Sequence, residues 1–211
     1  GATATIITTT QSCVAVATTV GLSLIKKILI GGITKGLGIF KDKDSFLANG
    51  IIDKALPDQL KSINSTLEKI GLSNLVSKEK SYIADAAAFI APIAEPILVN
   101  TVQNMTSEDA QRIANGGKGA ATAYLREKAS SQLMAAIAPK VDAKLNEYGI
   151  VKTINTALKG NSLLGALTGN QTTTASSGLS SLASEQLVNG LFNIIENYEK
   201  TSPENPMNFV K

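Results

Sequence analysis

Between Asn104 and Pro139 the chain reads NMTSEDAQRIANGGKGAATAYLREKASSQLMAAIAP, and this stretch constrains the fold more than any other. Thr106 opens Thr-Ser-Glu-Asp, a hydroxyl residue followed three positions later by a carboxylate. Such spacing lets the Thr106 hydroxyl accept from a free N–H of the first helical turn while Asp109 reaches back to the Thr106 N–H. Glu108 and Asp109 also sit where the helix dipole favours negative charge. A short helix is predicted from Ser107 to about Asn115, ended by Gly116 and Gly117, because glycine takes the left-handed conformation at a helix end without steric cost. A second helix is predicted from about Gly119 to Ala138, with Ala121, Leu125, Leu133 and Ile137 as its core stripe and Tyr124 at the edge. Pro139 lacks a backbone N–H and is expected to stop or bend it.

The composition supports a core made almost wholly of aliphatic residues. Hydrophobic residues are 44% of the 211, aromatics only 4%, and Trp is absent. Small and aliphatic side chains suit closely packed helices. There is no histidine, which removes the commonest general base and metal ligand and every histidine-dependent triad. The single cysteine, Cys13, excludes an intramolecular disulfide and a multi-cysteine metal site. No cofactor is expected. A net charge of +3 without a dense Lys/Arg block does not argue for nucleic acid.

The first twenty residues, GATATIITTTQSCVAVATTV, carry no charge and are rich in β-favouring Thr, Val and Ile. They read as an extended arm, or as the remnant of a secretory or lipoprotein signal with Cys13 in a loose lipobox and a candidate for lipidation. As an arm, Ala2, Ala4, Ile6 and Ile7 would add as a strand to a neighbouring copy or fold back on their own domain. The apolar run from Cys13 to Ile25 is too short to cross a membrane as a helix, so no transmembrane span is expected there. Residues 21–200 read as one helical domain, with an irregular tail over 201–211. The expected elements begin with a glycine-rich helix from Gly21 to Phe40, and Asp44 or Ser45 is set to cap the next element. Later helices are expected over about Asp58–Ile70, 79–103 kinked or divided by Pro92 and Pro96, Lys140–Tyr148, Ile150–Leu158 and Ser180–Asn197, with a polar loop over 160–181. The fold class is therefore all-α: a single-domain bundle of about six to eight helices with a Thr-rich N-terminal arm.

Candidate chemistry is sparse. Asn115-Gly-Gly-Lys-Gly-Ala-Ala-Thr122 is superficially like a phosphate-binding loop, but Gly119 stands where Ser or Thr should follow the lysine, and the context is helix–helix. It reads as a hinge, with room for an anion at the N-terminus of the second helix near Lys118. Glu108, Asp109, Arg112 and Arg126 read as ion pairs, with Arg126 placed to hold a carboxylate across the hinge. A hydrolase using Asp85, Glu108 and Asp109 alone would need them gathered in one place.

The combination of Gly21-Leu22, Leu56-Pro57 with Leu60 and Leu67, Gly71-Leu72, Met105-Thr106 with Asp109-Ala110 and Ile113, Gly116, Ala121-Thr122-Ala123-Tyr124-Leu125-Arg126, Leu133 and Pro139 resembles the DUF4197 family of bacterial proteins. The likeness covers roughly residues 21–200. It implies an all-helical domain exported to the periplasm or outer envelope, and no established activity. Ala84-Asp85-Ala86-Ala87-Ala88 departs from the family's Asn-Arg-Ala-Ala-Glu, and the Thr-rich start lies outside the pattern. Together these readings give a non-enzymatic cell-envelope or extracellular protein acting through protein partners or further copies of itself. The alternative is a carrier holding an apolar ligand such as a lipid between its helices.

Overall fold

In a computed structural model, residues 2–160 and 178–205 are described, with side chains from Gly21 onward. Every regular element among them is helical. The helices are α1 (Ala2–Lys41), α2 (Lys43–Ala48), α3 (Gly50–Lys54), α4 (Asp58–Lys69), α5 (Ser73–Gln103), α6 (Ser107–Asn115), α7 (Ala120–Glu147), α8 (Ile150–Ala157) and α9 (Gly178–Thr201).

Four long helices form the body. α5 packs on α7, α7 on α9, α9 on α1 and α1 on α5. Each neighbouring pair is antiparallel. Lys26 of α1 reaches the carbonyl of Gln103 at the end of α5, and Lys41 at the end of α1 reaches back to Glu95. Tyr82 and Tyr148 meet from opposite ends of α5 and α7, and Arg126 of α7 meets Asn189 and Asn193 of α9. The result is an up-down-up-down four-helix bundle. α6 closes one end against α1 and α7, while α2, α3, α4 and α8 cover the other.

The core is aliphatic, as the composition requires. Leu29, Ile33, Leu37, Leu60, Ile63, Leu67, Leu98, Leu125, Leu133, Ile137, Leu187 and Ile195 are buried together, each contributing roughly 1.5–3 kcal/mol of transfer free energy. α5 lies against its neighbours through Ala84, Ala86, Ala87, Ala91 and Ala94, whose small side chains allow close approach. Gly32 does the same on α1, where an added Cβ would lie 3.3 Å from the Ile195 backbone. By length and hydropathy α5 could cross a membrane; here it holds a central place in the bundle, where apolarity on several sides is expected.

Two expectations need correction, and those at the prolines are narrowed. The backbone of residues 2–20 belongs to α1 and is helical, so the Thr-rich arm is not an extended strand; once a helix is nucleated, each added residue gains a hydrogen bond, and that outweighs a weak β preference. The side chains of Ala2, Ala4, Ile6, Ile7 and Cys13 lie outside the described ones. Pro92 and Pro96 do not divide α5, and Pro139 does not end α7. All three prolines are exposed, and Pro139 leaves the carbonyl of an exposed residue, Ala135, without its helical donor, where water can serve instead. Finally, Asp42, not Asp44 or Ser45, caps α2 by accepting from the Ser45 N–H at 3.2 Å. Most of the loop expected at 160–181, and the tail from 206, fall outside the described residues.

Candidate functional site at the α6–α7 hinge

The helix and cap predicted at Thr106 are present in full. Thr106 Oγ1 accepts from the Asp109 N–H at 3.2 Å and Asp109 Oδ2 accepts from the Thr106 N–H at 2.9 Å. Asp109 also accepts from Arg112 at 2.7 Å and from the Tyr124 hydroxyl at 2.9 Å. These donors, the Thr106 N–H first and Arg112 next, hold the Asp109 carboxyl well below the usual carboxylate range. Burial, together with the same contact, pushes the Tyr124 phenol up. Tyr124 thus ties α7 to the cap of α6.

The hinge itself differs in detail from expectation. Gly116 ends α6 with φ −88°, while the left-handed positions are Gly117 and Gly119, at φ +83° and +85°. Gly119 is the N-cap of α7 and offers no side chain to its free N–H groups. Glu199 of α9 supplies what is missing. Its carboxylate accepts from the Ala121 N–H at 3.1 Å, the Thr122 N–H at 2.8 Å and the Thr122 hydroxyl at 2.7 Å. The anion expected near Lys118 is therefore the protein's own, and Lys118 is exposed. Asn205 returns the chain by donating to the Glu199 carbonyl at 2.9 Å. Beside this cap lies a cavity of about 100 Å³ lined by Leu24, Ile25, Ile28, Ile113 and Ala121, with Glu199 at its edge.

Arg126 does not hold a carboxylate across the hinge. Its guanidinium donates to Asn189 at 3.1 Å and Asn193 at 3.0 Å, and lies 4.9 Å over the Phe192 ring. A planar fork fits two amide oxygens one helical turn apart on α9. Asp85 pairs with Lys43 at 3.1 Å, Asp109 is held by its own cap, and Glu108 is exposed. The three carboxylates of the hydrolase reading thus have separate surroundings. Among the described residues no group of acids and Cys is placed to hold a metal.

Two features went unread in the sequence. Glu199 lies four residues after Ile195 on the buried stripe of α9, and Glu79 lies four before Ile83 on that of α5. A carboxylate on an apolar stripe is a readable signal. Glu79 is wholly buried with Asn64 as its polar neighbour, yet neither side chain makes a hydrogen bond of good geometry. Burial pushes its carboxyl up to about 7, against the opposing pull of Asn64 and Lys80.

The second feature is a surface. Tyr82 and Tyr148 stack with centroids 4.3 Å apart and planes 9° apart. Lys144 lies 5.8 Å from the Tyr148 ring and 5.1 Å from that of Phe89, which is 43% exposed. In a chain with nine Phe and Tyr in all, three meet on this one face of α5 and α7.

No curated protein and no solved structure matches the chain. One family model matches residues 18–210, that of DUF4197, a protein family of unknown function. With nearly the whole chain aligned, the protein belongs to the DUF4197 family.

Proposed function

We propose that this protein is a non-enzymatic, exported cell-envelope or extracellular protein that acts by contact with a protein partner or another copy of itself. The observation that supports this most is the aromatic face of Tyr82, Phe89 and Tyr148 around Lys144. Exposed aromatics are costly to leave in water and are the side chains that most often anchor protein interfaces. The polar groups of the hinge support the same reading, since Asp109 and Glu199 are engaged in capping helices. Strand addition by the N-terminal residues is no longer part of it, because their backbone is helical. The exported location rests on the family resemblance.

A photo-crosslinking residue at position 89, expressed in the cells of origin, tests the reading. A discrete crosslinked species that disappears with Tyr148→Ala supports it; crosslinks no more specific than those from an exposed site such as Lys118 overturn it. Fractionating the same cells tests the exported location.

The second reading, a carrier of an apolar ligand, is favoured by the apolar cavity beside Glu199. At about 100 Å³ it holds only about three waters' share of liquid volume, so a lipid would require α1 and α6 to part. Native mass spectrometry without a co-purifying lipid would count against it.

A further inference from the structure

At the end of the bundle opposite the hinge, a cavity of about 320 Å³ lies between α2, α3, α5 and α9. This is within the size range of small-molecule sites. Its walls are Phe46, Leu56 and Ile83, and its polar groups are Asp53, Lys80 and Gln186. Asp53 comes from α3 and Lys80 from α5, so opposite charges reach the same space from different helices. Neither forms an ion pair among the described residues, whereas Lys41, Lys43 and Asp85 nearby all do. Gln186 is 6% exposed. Its Nε2 donates to the Ile52 carbonyl at 3.3 Å, which sets the amide's orientation and leaves Oε1 buried without a partner. A buried orphan acceptor at the edge of a cavity is what a ligand N–H would satisfy. Glu79 precedes Lys80 in sequence but does not line the cavity.

We infer that this cavity binds a small zwitterion with an aliphatic side chain, a free α-amino acid of the leucine type. Lys80 meets its carboxylate and Asp53 its ammonium group, with the Gln186 oxygen as a second acceptor. Phe46, Leu56 and Ile83 cover the aliphatic part. An apolar wall with a few convergent polar groups selects for shape and for both charges at once. A monocarboxylate or a simple amine would leave one charged side chain without a partner and gain correspondingly less.

Titrating the full chain with L-leucine, followed by amide NMR, tests this directly. The expected result is saturable shifts at Ile52–Leu56, Lys80–Ile83 and Gln186. Isocaproate, lacking the ammonium group, and isoamylamine, lacking the carboxylate, should each bind at least about tenfold more weakly. Lys80→Met and Asp53→Asn should weaken leucine binding by a similar factor. Both residues are exposed, and unchanged far-ultraviolet circular dichroism verifies the fold. Three results would overturn the inference: no saturable shift up to about 10 mM leucine, shifts that map elsewhere, or isocaproate binding as well as leucine.

Discussion

The Glu199 carboxylate accepts from the first-turn N–H groups of a helix that begins almost eighty positions earlier in the chain. Its Oε1 lies 2.8 Å from the Thr122 backbone nitrogen and 2.7 Å from the Thr122 hydroxyl. Both residues are almost fully buried. A negative charge at the first turn of a 28-residue helix also meets the positive end of its dipole. This contact joins the last helix of the bundle to the glycine hinge.

Replacing Glu199 with Ala should leave the N–H groups of Ala121 and Thr122 without acceptors. The desolvation of buried unpaired donors sets an expected loss of about 3 kcal/mol. Glu199→Gln keeps one acceptor and should lose about 1 kcal/mol. Urea unfolding of both variants checks the order; equal losses would show that packing, not capping, carries the contact.

Glu79 predicts a pH dependence of the opposite sense to the usual acid. Its carboxyl is raised from 4.5 to about 7 in the folded state, so the native protein binds the proton more tightly than the unfolded chain. Stability should therefore fall as pH rises from 4.5 to about 7, by at most about 3 kcal/mol, and then level off. Glu79→Gln should remove that slope and be more stable than the wild type at pH 8. A wild-type midpoint in urea that does not move across this range would refute the assignment.

Asp109 predicts the ordinary sense. Its carboxyl is held below the usual range by the Thr106 N–H and Arg112, so its stabilisation is present above the unfolded value of 3.8 and fades as pH falls below it. Asp109→Asn should cost about 1 kcal/mol at neutral pH, as loss of a cap does. The cost should shrink in acid, which parallel unfolding curves at neutral and acidic pH would reveal.

Gly32 predicts a steric limit between α1 and α9. A Cβ there would sit 3.1 Å from Ile195 Cγ2 and 3.3 Å from Ile195 Cα, and the backbone cannot swing aside as a side-chain tip can. Gly32→Val should cost about 1–3 kcal/mol through overpacking. Gly38→Val, with nothing within 4 Å, is the control; there the branched side chain only modestly alters helix propensity. Thermal unfolding of the pair separates the two effects.

Much of this architecture is legible from residue order, because its causes are local. The capping box at Thr106–Asp109 uses four adjacent residues, and the stripe of Ala121, Leu125, Leu133 and Ile137 follows helical periodicity alone. The same locality makes the family resemblance readable. Local rules failed where exposure or long-range contact decided. Pro92, Pro96 and Pro139 look like breaks until it is known that they face solvent. Arg126 looks like an acid's partner until α9 brings Asn189 and Asn193 beside it.

The amino-acid order by itself determined an all-helical, aliphatic chain without histidine, a Thr106 cap and a glycine hinge. Only the tertiary structure decided what occupies the anion position at the start of α7. Gly119 has no side chain, so that position had to be filled from elsewhere, and nothing within a few residues of it carries a carboxylate that could turn back to it. Bundle closure, which lays α9 antiparallel to α7, puts Glu199 there. The reason is that capping requires an acceptor within about 3 Å, and sequence distance places no bound on which residue supplies it.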